Sequence, residues 1–180
     1  MTEEQATQDN SKLKLILGGS IASVLAAGVI GFLVYSSICP CDRTPGGFLF
    51  GDDSDGQVND WSFANDVELC QLQIYDGIRP HSINLNCMAT PEGEMYLSCS
   101  VCDTKYWAAR VGENERGVMR LDGVVYPVYL NRITDSATMD QAWQARVTKL
   151  QIHGGPGNPA PPTNAPRADR WWTFQVTSRG

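Results

Sequence analysis

The chain has 180 residues, 42% of them hydrophobic and 19% charged, and a formal net charge of −6. That length accommodates one globular domain with appendages. The fourteen Lys and Arg are scattered, and with the acidic balance this excludes a general affinity for nucleic acid, which needs basic residues gathered on one face.

The first predicted element is an apolar helix. No charge falls between Leu15 and Ile38. As a helix, that run is about 36 Å long, enough to cross a hydrocarbon core of roughly 30 Å. Lys12 and Lys14 precede it like the front of a signal peptide. However, the run exceeds a signal core and no small-x-small cleavage site ends it. The reading is an uncleaved anchor: a cytoplasmic tail over 1–14, a single membrane pass over 15–38 held by lipid, and an exported domain in the periplasm or outside the cell. Orientation rests on Lys12 and Lys14 against Arg43 alone. Gly19, Ser23, Ala27 and Gly31 form a small-xxx-small ridge of the kind that lets helices approach closely in lipid.

Residues 39–60 read as an acidic, Gly/Pro-rich connector, followed by a domain over 61–180. The run Asp52-Asp53-Ser54-Asp55-Gly56 is not a calcium loop. Gly51 holds the first ligand position, and Ser62 stands where the bidentate Glu belongs.

From there, alternation with period two predicts strands over 67–75, 81–89 and 94–101, the first ending at the turn signal Asp76-Gly77. Asp103 or Thr104 would cap a short helix, "TKYWAARVG", stopped by Gly112. Strands over 117–121 and 124–133 flank Asp122-Gly123, a hairpin turn. An amphipathic helix is predicted over 135–151. The stretch 153–170 is too rich in Pro and Gly for a regular element, and 171–178 is an aromatic, β-branched strand. The fold class is therefore mainly β (α+β): six antiparallel strands and two helices, preceded by one transmembrane helix, with the sheet rolled into a barrel to remove its edges.

Six cysteines occur, at 39, 41, 70, 87, 99 and 102, and an exported location permits disulfides. Cys70 and Cys87 fall among inward-facing apolar neighbours, where free thiols serve as small core residues. Cys99 and Cys102 read as a structural disulfide or as two thiols. A zinc site from Cys39, Cys41, Cys99 and Cys102 would require the first pair to fold back onto the domain. "CSVC" lacks the His of a c-type haem signature, Asp103 standing in its place.

Three segments in this order, "PHSINLNCMA", "MYLSCSVCDTKYWAARV" and "GVVYPVYLNRIT", resemble the FMN-binding split β-barrel, the pyridoxamine 5'-phosphate oxidase-like family, over roughly residues 60–178. The cysteines within 97–103 and the membrane anchor depart from that pattern. The resemblance implies that the segment after the third strand handles the flavin phosphate, with Thr104 and Lys105 at the family's hydroxyl-plus-cation position. A helix starting near Thr104 would add free amides and a positive dipole end, and Ser100 could contribute. His81 and Ser82 open the strand where the resemblance implies the barrel rim and could approach the ring or a substrate, His81 otherwise being a surface turn residue. Trp107 could stack on a planar ring or pack in the core. Two functions follow. One is an anchored FMN-binding flavoprotein, an oxidoreductase passing hydride or electrons to a small molecule or membrane protein partner, and by resemblance a homodimer. The other is a non-catalytic anchored barrel serving as a binding or accessory subunit without cofactor.

Overall fold

A computed structural model describes residues 3–180; Met1 and Thr2, the front of the expected tail, lie outside the described residues. The chain divides into two units, ending and beginning at Ile38 and Cys39. The first is one helix, α1 (Glu3–Ile38). Its segment Ile16–Ser36 is long and apolar enough to cross a membrane, a property that a signal sequence near an N-terminus shares. Ser23 donates its hydroxyl back to the Gly19 carbonyl at 2.9 Å, satisfying that polar group within the helix.

The second unit is a mainly β body. Its strands are β1 (Asp52–Asp53), β2 (Cys70–Asp76), β3 (Arg79–Leu85), β4 (Cys87–Ala89), β5 (Met95–Cys99), β6 (Glu115–Leu121), β7 (Val124–Ile133) and β8 (Trp172–Ser178). The order across the sheet is β3-β2-β6-β7-β8-β5-β4, with β1 added in parallel to β7. Eight strands thus stand where six were expected. The excess has two causes: the expected strand 81–89 breaks at Asn86 into β3 and β4, and two acidic connector residues pair with Val124 and Val125. The break shapes the fold. β3 and β4 occupy opposite ends of the order, yet only Asn86 separates them. One segment therefore pairs with β2 through its first half and with β5 through its second, rolling the sheet into a half-barrel.

Turn chemistry sets the hairpins. Gly77 (φ 60°) follows Asp76, and Asp122-Gly123 (φ 47° and 85°) adopts the double positive φ of a tight hairpin turn. Inside the roll, Leu72, Ile74, Met95, Leu97, Met119, Leu130 and Phe174 are fully buried. The connector residues are packed on the body. Gly46 exchanges two backbone hydrogen bonds with Ser82 on the outer edge of β3, covering part of that edge. A Cβ at Gly46 would lie 2.6 Å from the Ser82 hydroxyl, so this crossing requires glycine.

α2 (Ser136–His153) begins where Asp135 caps it, accepting from the Thr138 amide at 2.9 Å. It buries two cations. Lys149 donates to the Ala64 and Cys87 carbonyls at 2.7 Å each, and Arg146 donates to the Asn158 side-chain carbonyl at 2.6 Å and covers the Trp171 ring. Burial pushes the Lys149 amine down to about 8 from its ordinary 10.5. The unfolded lysine keeps its proton up to about 10.5, so between about pH 8 and 10 the unfolded state binds more protons. Stability should therefore rise with pH across that window, opposite to the usual alkaline trend. Denaturant melts at pH 7.5 and 9.5 check this. Lys149→Met should flatten the rise and, by leaving two carbonyls without a donor, cost about 2 kcal/mol at pH 7.

Candidate functional site

The expected helix over 104–112 does not form. Two single 3-10 turns, Cys102–Thr104 and Ala108–Arg110, take its place, with Lys105 extended between them. Cys99 and Cys102 are joined by a disulfide with Cα atoms 5.6 Å apart, which closes a tight loop at the end of β5. The amides of the supposed helix start are already spent: Thr104 donates to Asp103 and Lys105 to the Cys102 carbonyl. A three-residue turn nucleates no helix dipole, so the backbone cradle expected here is missing.

The singled-out residues separate into exposed and buried sets. Thr104 and Lys105 are exposed, and Ser100 is half-buried beside the disulfide. The Thr104 hydroxyl donates to the Val101 carbonyl at 2.9 Å. His81 is half-buried at the start of β3. Ser82 is fully buried, its hydroxyl without a partner among the described residues. Trp107 is buried in the core with its ring 4.9 Å from Phe174.

His81 meets the 100–110 segment through a residue the sequence did not single out. The Tyr106 ring lies 4.6 Å from the imidazole, and its hydroxyl donates to Asp76 at the β2–β3 turn. Arg110 stacks 3.4 Å over the Tyr106 ring and reaches the same carboxylate at 3.3 Å. The Tyr106 bond holds the Asp76 carboxyl below its usual range and raises the Tyr106 hydroxyl. Burial lowers the His81 imidazole, with Arg79 and Arg110 acting in the same direction and Asp76 against them. Only long-range packing brings Arg110 to Asp76 and His81, which share the β2–β3 hairpin. The one local signal was Asp76-Gly77, which marks the turn that carries them.

This rim partly fits a flavin mononucleotide. Arg110, already paired with Asp76, and Arg79, close enough to act on His81, would be the cations for a phosphate, and Tyr106 with His81 offers rings beside them. The grip would fall on side chains alone, the amides being committed. The cysteines offer no metal set. Cys39–Cys41 and Cys99–Cys102 are each bridged, so the four candidate zinc ligands present no thiolate. Cys70 and Cys87, expected as free thiols, are also bridged.

A concavity of about 610 Å³ runs along α2, bounded by Asn65, Thr90, Gln141, Ala145 and Ile152. The buried Thr90 hydroxyl has no partner among the described residues. None of the singled-out residues lines this concavity.

No family model matches the sequence, and no curated protein matches it. The chain is similar in structure to a candidate pyridoxamine 5'-phosphate oxidase from Listeria innocua, at 10% identity and a TM-score of 0.46, over 66% of this chain and 89% of that one. It is similar to a NimC/NimA family protein from Clostridium acetobutylicum at 13% identity and a TM-score of 0.43, over 65% and 78%. It is also similar to an FAD binding protein from Mycobacterium smegmatis at 12% identity and a TM-score of 0.37, over 67% and 94%.

Proposed function

We propose that the chain is an anchored, exported split-barrel protein that takes flavin mononucleotide at the His81–Tyr106–Arg110 rim. It would act as an oxidoreductase toward a small molecule or membrane partner, with two copies associating. The observation that carries this reading is the convergence of Arg79, Arg110, His81 and Tyr106 at one edge of a body whose overall balance is acidic. When bound, the flavin supplies hydride and one-electron chemistry. The chain's own groups would anchor the phosphate and orient the ring, and His81 would hold or pass a proton at the ring's edge.

Flavin fluorescence titration of the purified full-length chain tests this. Saturable uptake of FMN is expected, and Arg110→Ala should weaken it about tenfold or more, the size of one lost charge-assisted bond. No uptake by the wild-type chain would sink the proposal.

The committed amides at Thr104 and Lys105 favour a second reading, a barrel that retains the fold and binds a membrane protein partner without cofactor. Co-purification of a stable partner with no flavin absorbance would select it.

A further inference from the structure

We infer that the concavity along α2 is a ligand site for a small uncharged molecule, one with an apolar group and an amide or carbonyl that engages the Thr90 hydroxyl. It stands apart from the flavin reading, since His81, Tyr106 and Arg110 do not line it.

The wall facing α2 is set by the turn after β4. The Thr90 amide donates to the Glu94 carbonyl, and the Thr90 carbonyl accepts from the Gly93 amide, with Gly93 at φ 81°. Asn65 holds the adjoining strand end, donating to the Ala89 carbonyl at 3.0 Å and accepting from the Ala89 amide at 2.9 Å. These bonds leave the wall pre-formed, as small-molecule pockets usually are. Thr90 itself is 4% exposed, and its hydroxyl is shut off from solvent with no hydrogen-bond partner among the described residues. Buried hydroxyls are nearly always bonded, and an unmet one costs stability. Rotation about the Cα–Cβ bond exchanges the hydroxyl and methyl positions, so a carbonyl seated in the concavity can draw the donor toward it.

The remaining groups decide the ligand's charge. Lys149 lines the concavity, but its ammonium is committed to the Ala64 and Cys87 carbonyls. Asp140 is paired with Arg167 at 2.9 Å. Glu92 is the other charged residue of the lining, so an anion would meet a carboxylate and no free cation. Gln141, Gln144 and Thr148 lie on one face of α2, exposed and without side-chain hydrogen bonds among the described residues. Each both donates and accepts, which suits an amide. The apolar group has Ala89 and Ala145 to rest on, and Ile152, 74% exposed at the end of the same face, to cover it.

Saturation-transfer NMR on the full-length chain in lipid nanodiscs tests this, with empty nanodiscs as the control. The probe is N-acetyl-leucinamide, which has amides at both ends, a branched apolar group and no charge. Saturable binding is expected, and N-acetyl-leucine, the same body ending in a carboxylate, should bind about tenfold more weakly or worse. Thr90→Val should lower affinity about tenfold and raise the melting temperature by about 3 °C, because it removes the orphan hydroxyl along with its bond to ligand. A merely structural threonine would not couple weaker binding to higher stability. Gln141→Ala/Gln144→Ala, altered only on the exposed face of α2, should weaken binding and leave the melt in place. The inference is overturned if the uncharged probe shows no saturable binding or if the anionic one binds equally. It is overturned too if Thr90→Val keeps its affinity, or loses stability and affinity together. Each result holds whether or not the chain takes up flavin.

Discussion

Trp107→Ala should destabilise the body by about 3–5 kcal/mol, the range for deleting a large ring from a packed core. The reason is geometric. Trp107 is buried, its ring tilted against Phe174 at 4.9 Å, and it pins the back half of the 100–114 connection to the inner face of β8. Removing it empties a space that Phe174 and Val111 cannot both collapse to fill. Trp107→Phe should recover most of the loss. Chemical denaturation of the two variants measures this directly. A Trp107→Ala chain of normal stability but poor flavin uptake would place the ring against ligand instead of core.

Loss of the Cys70–Cys87 bridge should come next in size. The two residues are separated by 17 positions, with Cα atoms 5.8 Å apart, and neither is exposed. By chain entropy, a loop of that length contributes about 3 kcal/mol. For a body of this size, that corresponds to a fall of roughly 10 °C in melting temperature. The bridge fastens the start of β2 to the start of β4, directly across the Asn86 break, and the Lys149 ammonium donates to the carbonyl of the same Cys87. The Cys70→Ser/Cys87→Ser variant should therefore lose more than the Cys99→Ser/Cys102→Ser variant in a thermal melt. Equal losses would show that loop length does not set what each bridge contributes.

Much of this architecture was legible because it is local. Alternation marked β2, β3, β5, β6, β7 and β8 to within a few residues, Asp-Gly pairs marked both tight hairpins, and Asp135 marked the start of α2. Illegible features depended on distant partners. The helix expected at Thr104 had a good cap and good formers, but Cys102 is drawn to Cys99 and Trp107 to the core, and these pulls leave Lys105 extended. β1 looked like solvated acid because its pairing partner lies some seventy residues onward. Lys149 and Arg146 lie on a helix that reads as amphipathic, where long cations ordinarily face water, and nothing nearby in sequence shows the carbonyls and indole that receive them. Of the candidate site, His81 and the 104–105 pair were found from their segment, whereas the grouping of Tyr106 and Arg110 with Asp76 became visible only once the β2–β3 turn lay beside the 100–110 segment.

The single residue between β3 and β4 has an evolutionary corollary. Side chains in a strand change face at every step, so inserting or deleting one residue at Asn86 would reverse the facing of everything on one side of it relative to the other. Cys87 would swing away from Cys70, and Ala89 would exchange places with Met88. Length variation should thus be tolerated better in the proline-rich stretch before β8, outside Asn158 and its bond to Arg146, and be almost forbidden at this junction. A library of single-residue indels, scored for folded protein, would show the two positions as opposite extremes.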